Sequence, residues 1–160
     1  MELRRHDEFM LNETNLDFVD ADKELKDKVR EQWGEKVAHH MHLDDGFSIL
    51  AMQEEKFIGL ISVYWKILPA PLPETYEGYI DILEVHQDFH RKGIATQLID
   101  KCLKRAQERS VYQLRAWSSL DKREATSMWK ALGFGLCPAT TYPGGQEVQG
   151  YFAVKLLDND

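Results

Sequence analysis

No apolar run in the sequence approaches the roughly 20 residues that a membrane-spanning helix needs, so no such helix is expected. Cysteine is scarce: Cys102 and Cys137 are the only two, without CxxC spacing, which argues against a disulfide framework or a zinc site. The first ten residues, MELRRHDEFM, lack the apolar stretch of a secretion signal, so a reduced, cytoplasmic setting is expected. No long basic stripe interleaved with aromatics is present, which makes nucleic acid a poor partner. Internal repeats and low-complexity tracts are also missing. What is there suits one domain over residues 1–160, enough chain for a proper core and too little for two comfortable ones.

Charge is unevenly spread. Residues 1–60 hold 15 acidic and 8 basic side chains, a net of -7, whereas residues 88–130 hold 5 acidic and 10 basic ones, a net of +5. One part of the chain can attract cations and another anions.

The segment 20–41, DADKELKDKVREQWGEKVAHHM, reads as one or two amphipathic helices with Asp20 or Asp22 as N-cap. Residues 46–67 read as two strands joined by a tight turn at Gln53 to Glu55. Pro69, Pro71 and Pro73 exclude regular structure from the loop 68–78. YIDILEV (79–85) is a strand, and apolar positions 94, 95, 98, 99, 102, 103 and 106 trace one helical face. VYQLRAW (111–117) is a strand, and residues 121–134 form a helix capped by Asp121 and stopped at Gly133. GYFAVKLL (150–157) is the last strand. The expected class is α/β in the broad (α+β) sense, a mixed sheet with helices on both faces.

One stretch conflicts with helix electrostatics. DFHRKGIATQLID (88–100) starts a helix through His90, Arg91, Lys92 and Gly93, although the macrodipole favours anions at that end. An anion from outside resolves the conflict. The first amides of a helix lack internal partners, glycine permits close approach, and Arg91 and Lys92 add full charges. A diphosphate fits. The stretch is neither GxxxxGK[ST] nor GxGxxG, so neither nucleotide loop applies.

His90-Arg91-Lys92-Gly93-Ile94-Ala95, preceded by a strand ending in LEV, resembles motif A, [RQ]xxGx[GA], of the GNAT superfamily of acetyl-CoA-dependent N-acetyltransferases. EATSMWKALGF (124–134) resembles its motif B, NxxAxxLYxxxGF, and the likeness covers roughly residues 47–135. The resemblance implies a GNAT fold, with a central mixed, mostly antiparallel sheet splayed where acetyl-CoA lies. It implies that Leu83 and Val85 on the strand hold the pantetheine arm, with a backbone N–H near Val85 polarising the thioester carbonyl. It also implies that His90, Arg91, Lys92, Gly93, Ile94, Ala95 and Thr96 hold the diphosphate. An amine then attacks directly, without a covalent enzyme intermediate.

Several positions depart from the family pattern. His90 stands where Gln or Arg is usual, and Lys122, grouped with the cofactor contacts, replaces the common Asn. Trp129 replaces the frequent Tyr that protonates the leaving thiolate; indole has no acidic proton, so Tyr142 is the substitute. An attacking ammonium must lose a proton. Family bases sit on the motif A strand at places filled here by Asp81 and Tyr79. Asp81 is the first choice, on the same face as Tyr79, Leu83 and Val85; Glu84 is the second, turned inward only by a bulge.

The expected partners are acetyl-CoA and a small cationic amine, with a homodimer left open and neither nucleic acid nor membrane among them. A protein N-terminus or lysine as acceptor, a sensor without turnover and a partner-binding domain without ligand are the rivals. The histidines of HHMH (39–42) read as a solvated face rather than metal ligands, and no metal is expected. Cys102 and Trp129 read as core. Tyr64, Trp65, Tyr76 and Tyr79 suit either an acceptor pocket or sheet packing.

Overall fold

In the computed structural model, which describes residues 16–157, seven strands form one sheet in the order β1-β2-β3-β4-β5-β7-β6. In chain order the elements are β1 (Leu16–Asp20), α1 (Lys23–Trp33), α2 (Glu35–His39), β2 (Gly46–Gln53) and β3 (Lys56–Ile67). Next come β4 (Tyr76–Val85), α3 (Ile94–Glu108) and β5 (Gln113–Ser119). The chain ends with α4 (Arg123–Ala131), β6 (Gly135–Thr141) and β7 (Val148–Leu156). β1 pairs antiparallel with β2, and β7 pairs antiparallel with both β5 and β6. β4 pairs parallel with β5. The mixed α/β class expected from the sequence is the class observed. The reading of the first ten residues lies outside the described part.

The chain divides into two compact units, Met1–Ser62 with Ile82–Leu98, and Val63–Asp81 with Ile99–Asp160. In the first, Asp22 caps α1 by accepting the Leu25 N–H at 2.9 Å. Gly34, at φ 98°, ends α1 and lets α2 begin anew, so the long amphipathic segment becomes two helices. Val29, Met41, Leu50, Phe57 and Leu60 form its core, and Trp33 meets Phe57 edge-on at 6.3 Å. Beneath the loop before β2, the Ser48 and Ser62 hydroxyls lie 2.9 Å apart and satisfy the main chain of His42.

In the second unit β5 alternates strictly, burying Leu114, Ala116 and Ser118 and leaving Gln113, Arg115 and Trp117 on its other face. Trp129 of α4 is 4% exposed, with its ring 4.8 Å from that of Phe134. Gly133, at φ 86°, stops α4, and Lys155 Nζ donates to the carbonyl of the C-cap residue Leu132 at 2.6 Å.

Four expectations are corrected. The Asp121 carboxylate accepts from the Ser119 hydroxyl instead of capping α4, whose N-cap is Lys122 without a side-chain bond. β4 starts at Tyr76, because the Thr75 carbonyl closes the proline loop onto the Leu68 N–H, and the strand resumes at once. β5 starts two residues late, since the Val111 N–H still serves the end of α3 through Ala106. β1 and β6 had no counterpart in the sequence reading; Cys137-Pro138 reads as loop yet is tolerated on an edge strand.

Close backbone approach makes one glycine indispensable. A Cβ on Gly150 overlaps the Ser118 carbonyl oxygen and comes within 2.7 Å of the Trp117 ring. Gly150→Ala is therefore expected to destabilise by about 1–3 kcal/mol. Urea unfolding should show a lower midpoint at unchanged slope.

Candidate active site

The β4–α3 junction is built from the backbone upward. The His86 N–H donates to Ile58 O at 2.7 Å, keeping β4 on β3 to the end. A single 3-10 turn, Gln87–Phe89, follows, and His86 Nδ1 caps it by accepting the Asp88 N–H at 3.2 Å. The His90 ring folds back, and its Nε2–H donates to Val85 O at 2.8 Å. Carbonyl oxygen only accepts, so the proton sits on Nε2. Arg91 (φ 65°) and Gly93 (φ 76°) are both left-handed, and α3 starts immediately afterwards. The first main-chain bond into the helix runs from Gln97 N to Gly93 O at 3.0 Å.

The start of α3 sits tightly on the sheet because β3 carries Gly59 there. A Cβ at Gly59 would lie 3.1 Å from Ile94 and 3.2 Å from Leu98. At Gly93 the opposite holds, for a Cβ there meets nothing within 4 Å. Lys92 Nζ lies 5.2 Å from the centre of the Phe89 ring, and Lys56 Nζ lies 5.5 Å from it. Lys56 escaped the sequence reading, because nothing in its local pattern ties it to a loop 30 residues on.

The β4–β5 ladder runs from Glu77–Gln113 to Ile80–Ala116, and β4 continues to Val85. Alternation puts Glu77, Tyr79, Asp81, Leu83 and Val85 on one face. Asp81, Leu83 and Val85 are half-buried and Glu84 is exposed. Asp81 belongs to the second unit, while Leu83 to Thr96 belong to the first. The Tyr79 ring lies 5.4 Å from Tyr64, and burial is the main cause that raises its phenol pKa, keeping it protonated at neutral pH.

Sequence reasoning also missed a buried charge. Glu77 is fully buried, held by Arg115 Nη2 at 2.5 Å, Arg115 Nε at 2.9 Å and Gln113 Nε2 at 2.8 Å. The only signal was an acidic residue in a β-rich stretch, and its partner lies 38 residues away.

The remaining candidates are placed as follows. Lys122 is exposed at the start of α4. Tyr142, 64% exposed, follows β6. The indole Nε1 of Trp129 is buried without a hydrogen-bond partner among the described residues. Burial pushes the Cys102 thiol pKa up. His42 Nδ1 lies 3.0 Å from the Asp45 carboxylate. Among the described residues no group of three or more His, Cys, Asp or Glu side chains could hold a metal ion, and no helix is long and apolar enough to cross a membrane.

The pattern of the acetyltransferase (GNAT) family matches residues 8–134. Fold and pattern together define an enzyme of the acetyl-transfer class. The chain belongs to the acetyltransferase (GNAT) family. Solved structures share the fold at low identity. NAA60 of Arabidopsis thaliana in complex with acetyl-CoA is 16% identical at TM-score 0.69, covering 89% of this chain and 99% of its own. The ribosomal-protein-S18-alanine N-acetyltransferase of Escherichia coli is 16% identical at TM-score 0.69, with 89% and 94% covered. The spermidine/spermine N-acetyltransferase SpeG of Vibrio cholerae is 12% identical at TM-score 0.63, with 89% and 93% covered. No curated protein sequence matches significantly.

A non-glycine residue at φ 65° carries strain of order 1 kcal/mol. Arg91→Gly releases it, against the extra unfolded-state entropy of glycine. A thermal midpoint equal to or up to ~4 °C above the parent's is expected, and a clear drop would mean that Arg91 holds the folded chain together.

Proposed function

We propose that the chain transfers the acetyl group of acetyl-CoA to a primary amine by direct attack. In this reading residues 1–160 act as one catalytic domain in the cytoplasm, on a small cationic acceptor. The observation that carries the proposal is the turn before α3. Two left-handed residues, Arg91 and Gly93, feed a cationic segment into a fifteen-residue helix beside open space. A diphosphate would accept from the free helix amides and offset the cationic charge at that entry. The acetyl-CoA held by the fold neighbour NAA60 supports the same ligand, and the two free cysteines suit a reducing compartment.

When bound, acetyl-CoA supplies an activated acetyl thioester. Arg91, Lys92 and the amides from Arg91 to Thr96 hold its diphosphate, with Lys56 and Lys122 as further cations. Leu83 and Val85 offer main-chain groups to the pantetheine arm, and an N–H near Val85 steadies the developing oxyanion. His90 braces the Val85 carbonyl. Asp81 accepts the ammonium proton, directly or through water, with Glu84 as the second choice. Tyr142 returns a proton to the leaving sulfur. The acidic excess over residues 1–60 favours a cationic acceptor. One observation favours a second reading: buried Trp129 offers no phenol at the motif B position, as in a sensor that binds acyl-CoA without turnover.

At a hundred times its dissociation constant acetyl-CoA adds ~2.7 kcal/mol of stability, a readily seen thermal shift. Gly93→Asp should abolish the shift while the fold survives, since aspartate tolerates left-handed backbone and its Cβ has room. A parent protein that shows no shift with acetyl-CoA or CoA lacks the proposed ligand.

Asp81→Asn keeps the shape and removes the base, so turnover at neutral pH should fall ~10²–10⁴-fold. The loss should shrink as pH rises and more amine arrives neutral. The acetyl-CoA shift should persist. Glu84→Gln is the matched control and should cost much less. Near-normal rates in both variants would remove carboxylate catalysis from β4. Tight acetyl-CoA binding without turnover of any amine would favour the sensor.

A further inference from the structure

The last peptide unit of β4 has a partner on each side. The His86 N–H donates to Ile58 O of β3 at 2.7 Å. This peptide bond is trans, so its carbonyl, that of Val85, points the opposite way, away from β3. There it accepts the Nε2–H of His90 at 2.8 Å. The preceding unit runs in reverse. The Glu84 carbonyl oxygen lies on the β3 side, 3.5 Å from where a Cβ on Gly59 would stand. Its N–H, that of Val85, therefore shares the outer side of β4 with the Val85 carbonyl, and strand alternation adds the Leu83 carbonyl. The ladder with β5 has already ended at Ile80. All of these residues from Ile58 to His90 belong to the first unit.

Along that outer side stand the Leu83 carbonyl, the Val85 N–H and the Val85 carbonyl, and an imidazole occupies the last of them. In the proposed function this main chain carries the pantetheine arm, and the inference rests on that reading. An arm that pairs with the strand gives an N–H and offers a carbonyl. With Val85 O taken, the Leu83 carbonyl and the Val85 N–H remain to receive them. We infer that His90 is a positioning residue that fixes the register of the arm, by withholding the acceptor one step further toward the turn. Equivalent groups on one side of a strand recur every two residues, about 6.6–6.8 Å apart. An arm shifted by that step keeps its hydrogen bond, yet its thioester stands far outside attacking distance of the amine. A diphosphate held at the start of α3 restrains the same slip from the other end of the ligand. His90 therefore matters most for a thioester without that anchor.

The test compares acetyl-CoA with acetyl-pantetheine, which has the arm and no diphosphate. Turnover is measured as free thiol, with an amine that the parent accepts. In His90→Ala a slipped arm binds without reacting, so kcat and KM for acetyl-pantetheine should fall together severalfold while kcat/KM stays nearly constant. The same change should be smaller for acetyl-CoA. His90→Gln presents an amide N–H to Val85 O and should restore both constants. Simple loss of a binding contact raises KM instead, so a raised KM for acetyl-pantetheine in His90→Ala overturns the inference. Unchanged constants for both thioesters do the same. A lost CoA thermal shift beside normal acetyl-pantetheine kinetics would assign His90 to the diphosphate loop and equally overturn it. A second measurement needs no turnover. With saturating pantetheine, the Val85 amide of isotope-labelled parent should gain protection from hydrogen exchange while the Val85 carbonyl resonance stays in place. In His90→Ala that carbonyl resonance should move. This pattern without turnover of any amine keeps the register role and removes the amine-transfer reading. A carbonyl that responds alike in parent and His90→Ala overturns the register role and leaves amine transfer standing. No response of the Val85 amide to pantetheine or CoA takes the arm off this strand, and the inference falls with it.

Discussion

A helix start is a poor place for cations, and this chain concentrates them there. Arg91 and Lys92 precede α3, and Lys56 joins Lys92 at the Phe89 ring. Each charge held near a helix N-terminus works against the macrodipole by about 0.3–1 kcal/mol at low salt. Arg91 adds the strain of its left-handed backbone. The neighbouring structure is arranged around this unfavourable segment. Gly59 strips β3 bare so that Ile94 and Leu98 can seat the helix directly on the sheet. The His90 ring ties the loop back to the Val85 carbonyl, and the 3-10 turn between them satisfies its own amides. A loop so fixed presents its amides and charges in one arrangement, which spares a ligand most of the ordering cost of binding.

β4 sets the register of the chemistry that follows. Successive side chains alternate, so a slip of one residue would exchange Asp81 for Glu84's face and move every candidate group. Two devices prevent it. Glu77 is buried against Arg115 and Gln113, and removing one member of such a pair costs about 3–5 kcal/mol. Beside it Gly78 lies so close to Leu114 that a Cβ would sit 2.7 Å from that side chain. Both contacts hold only in the observed register, Glu77–Gln113 and Gly78–Leu114. The ion pair contributes specificity of pairing more than net stability.

Apolar patterning revealed most of the elements: α3 marks a single helical face, and β2 and β3 are continuous apolar runs buried on both faces. It missed β1 and β6, which lie at the two edges of the sheet, where burial no longer imposes a pattern and proline is tolerated. The turn proposed to bind the diphosphate was legible because Gly93, the cations and the following apolar stripe are contiguous. Arg91's left-handed backbone was not, since arginine gives no hint of positive φ. Nor was the Glu77–Arg115 pair, for sequence alone offers no reason to join residues 38 apart on neighbouring strands. Local chemistry is written locally; charge pairs across a parallel ladder are written only by the fold.

The indole at position 129 bears on which proton transfer this site must assist. A lysine-type primary ammonium, of pKa about 10.4, leaves roughly one molecule in 2,500 neutral at pH 7, whereas a thiol of ordinary pKa, about 8.5, is already a few per cent ionised. Withdrawing the proton from the nucleophile is thus the harder task, and the sulfur can depart as thiolate with modest help. Loss of a phenol at the motif B position costs such a reaction less than loss of a carboxylate from β4. Trp129, 4% exposed and packed on Phe134, contributes core instead. In the proposed mechanism the need for a base falls to Asp81, on the strand that Glu77 holds in register. On that reasoning the missing phenol argues for a changed division of labour within an acetyltransferase, and only weakly for a protein without turnover.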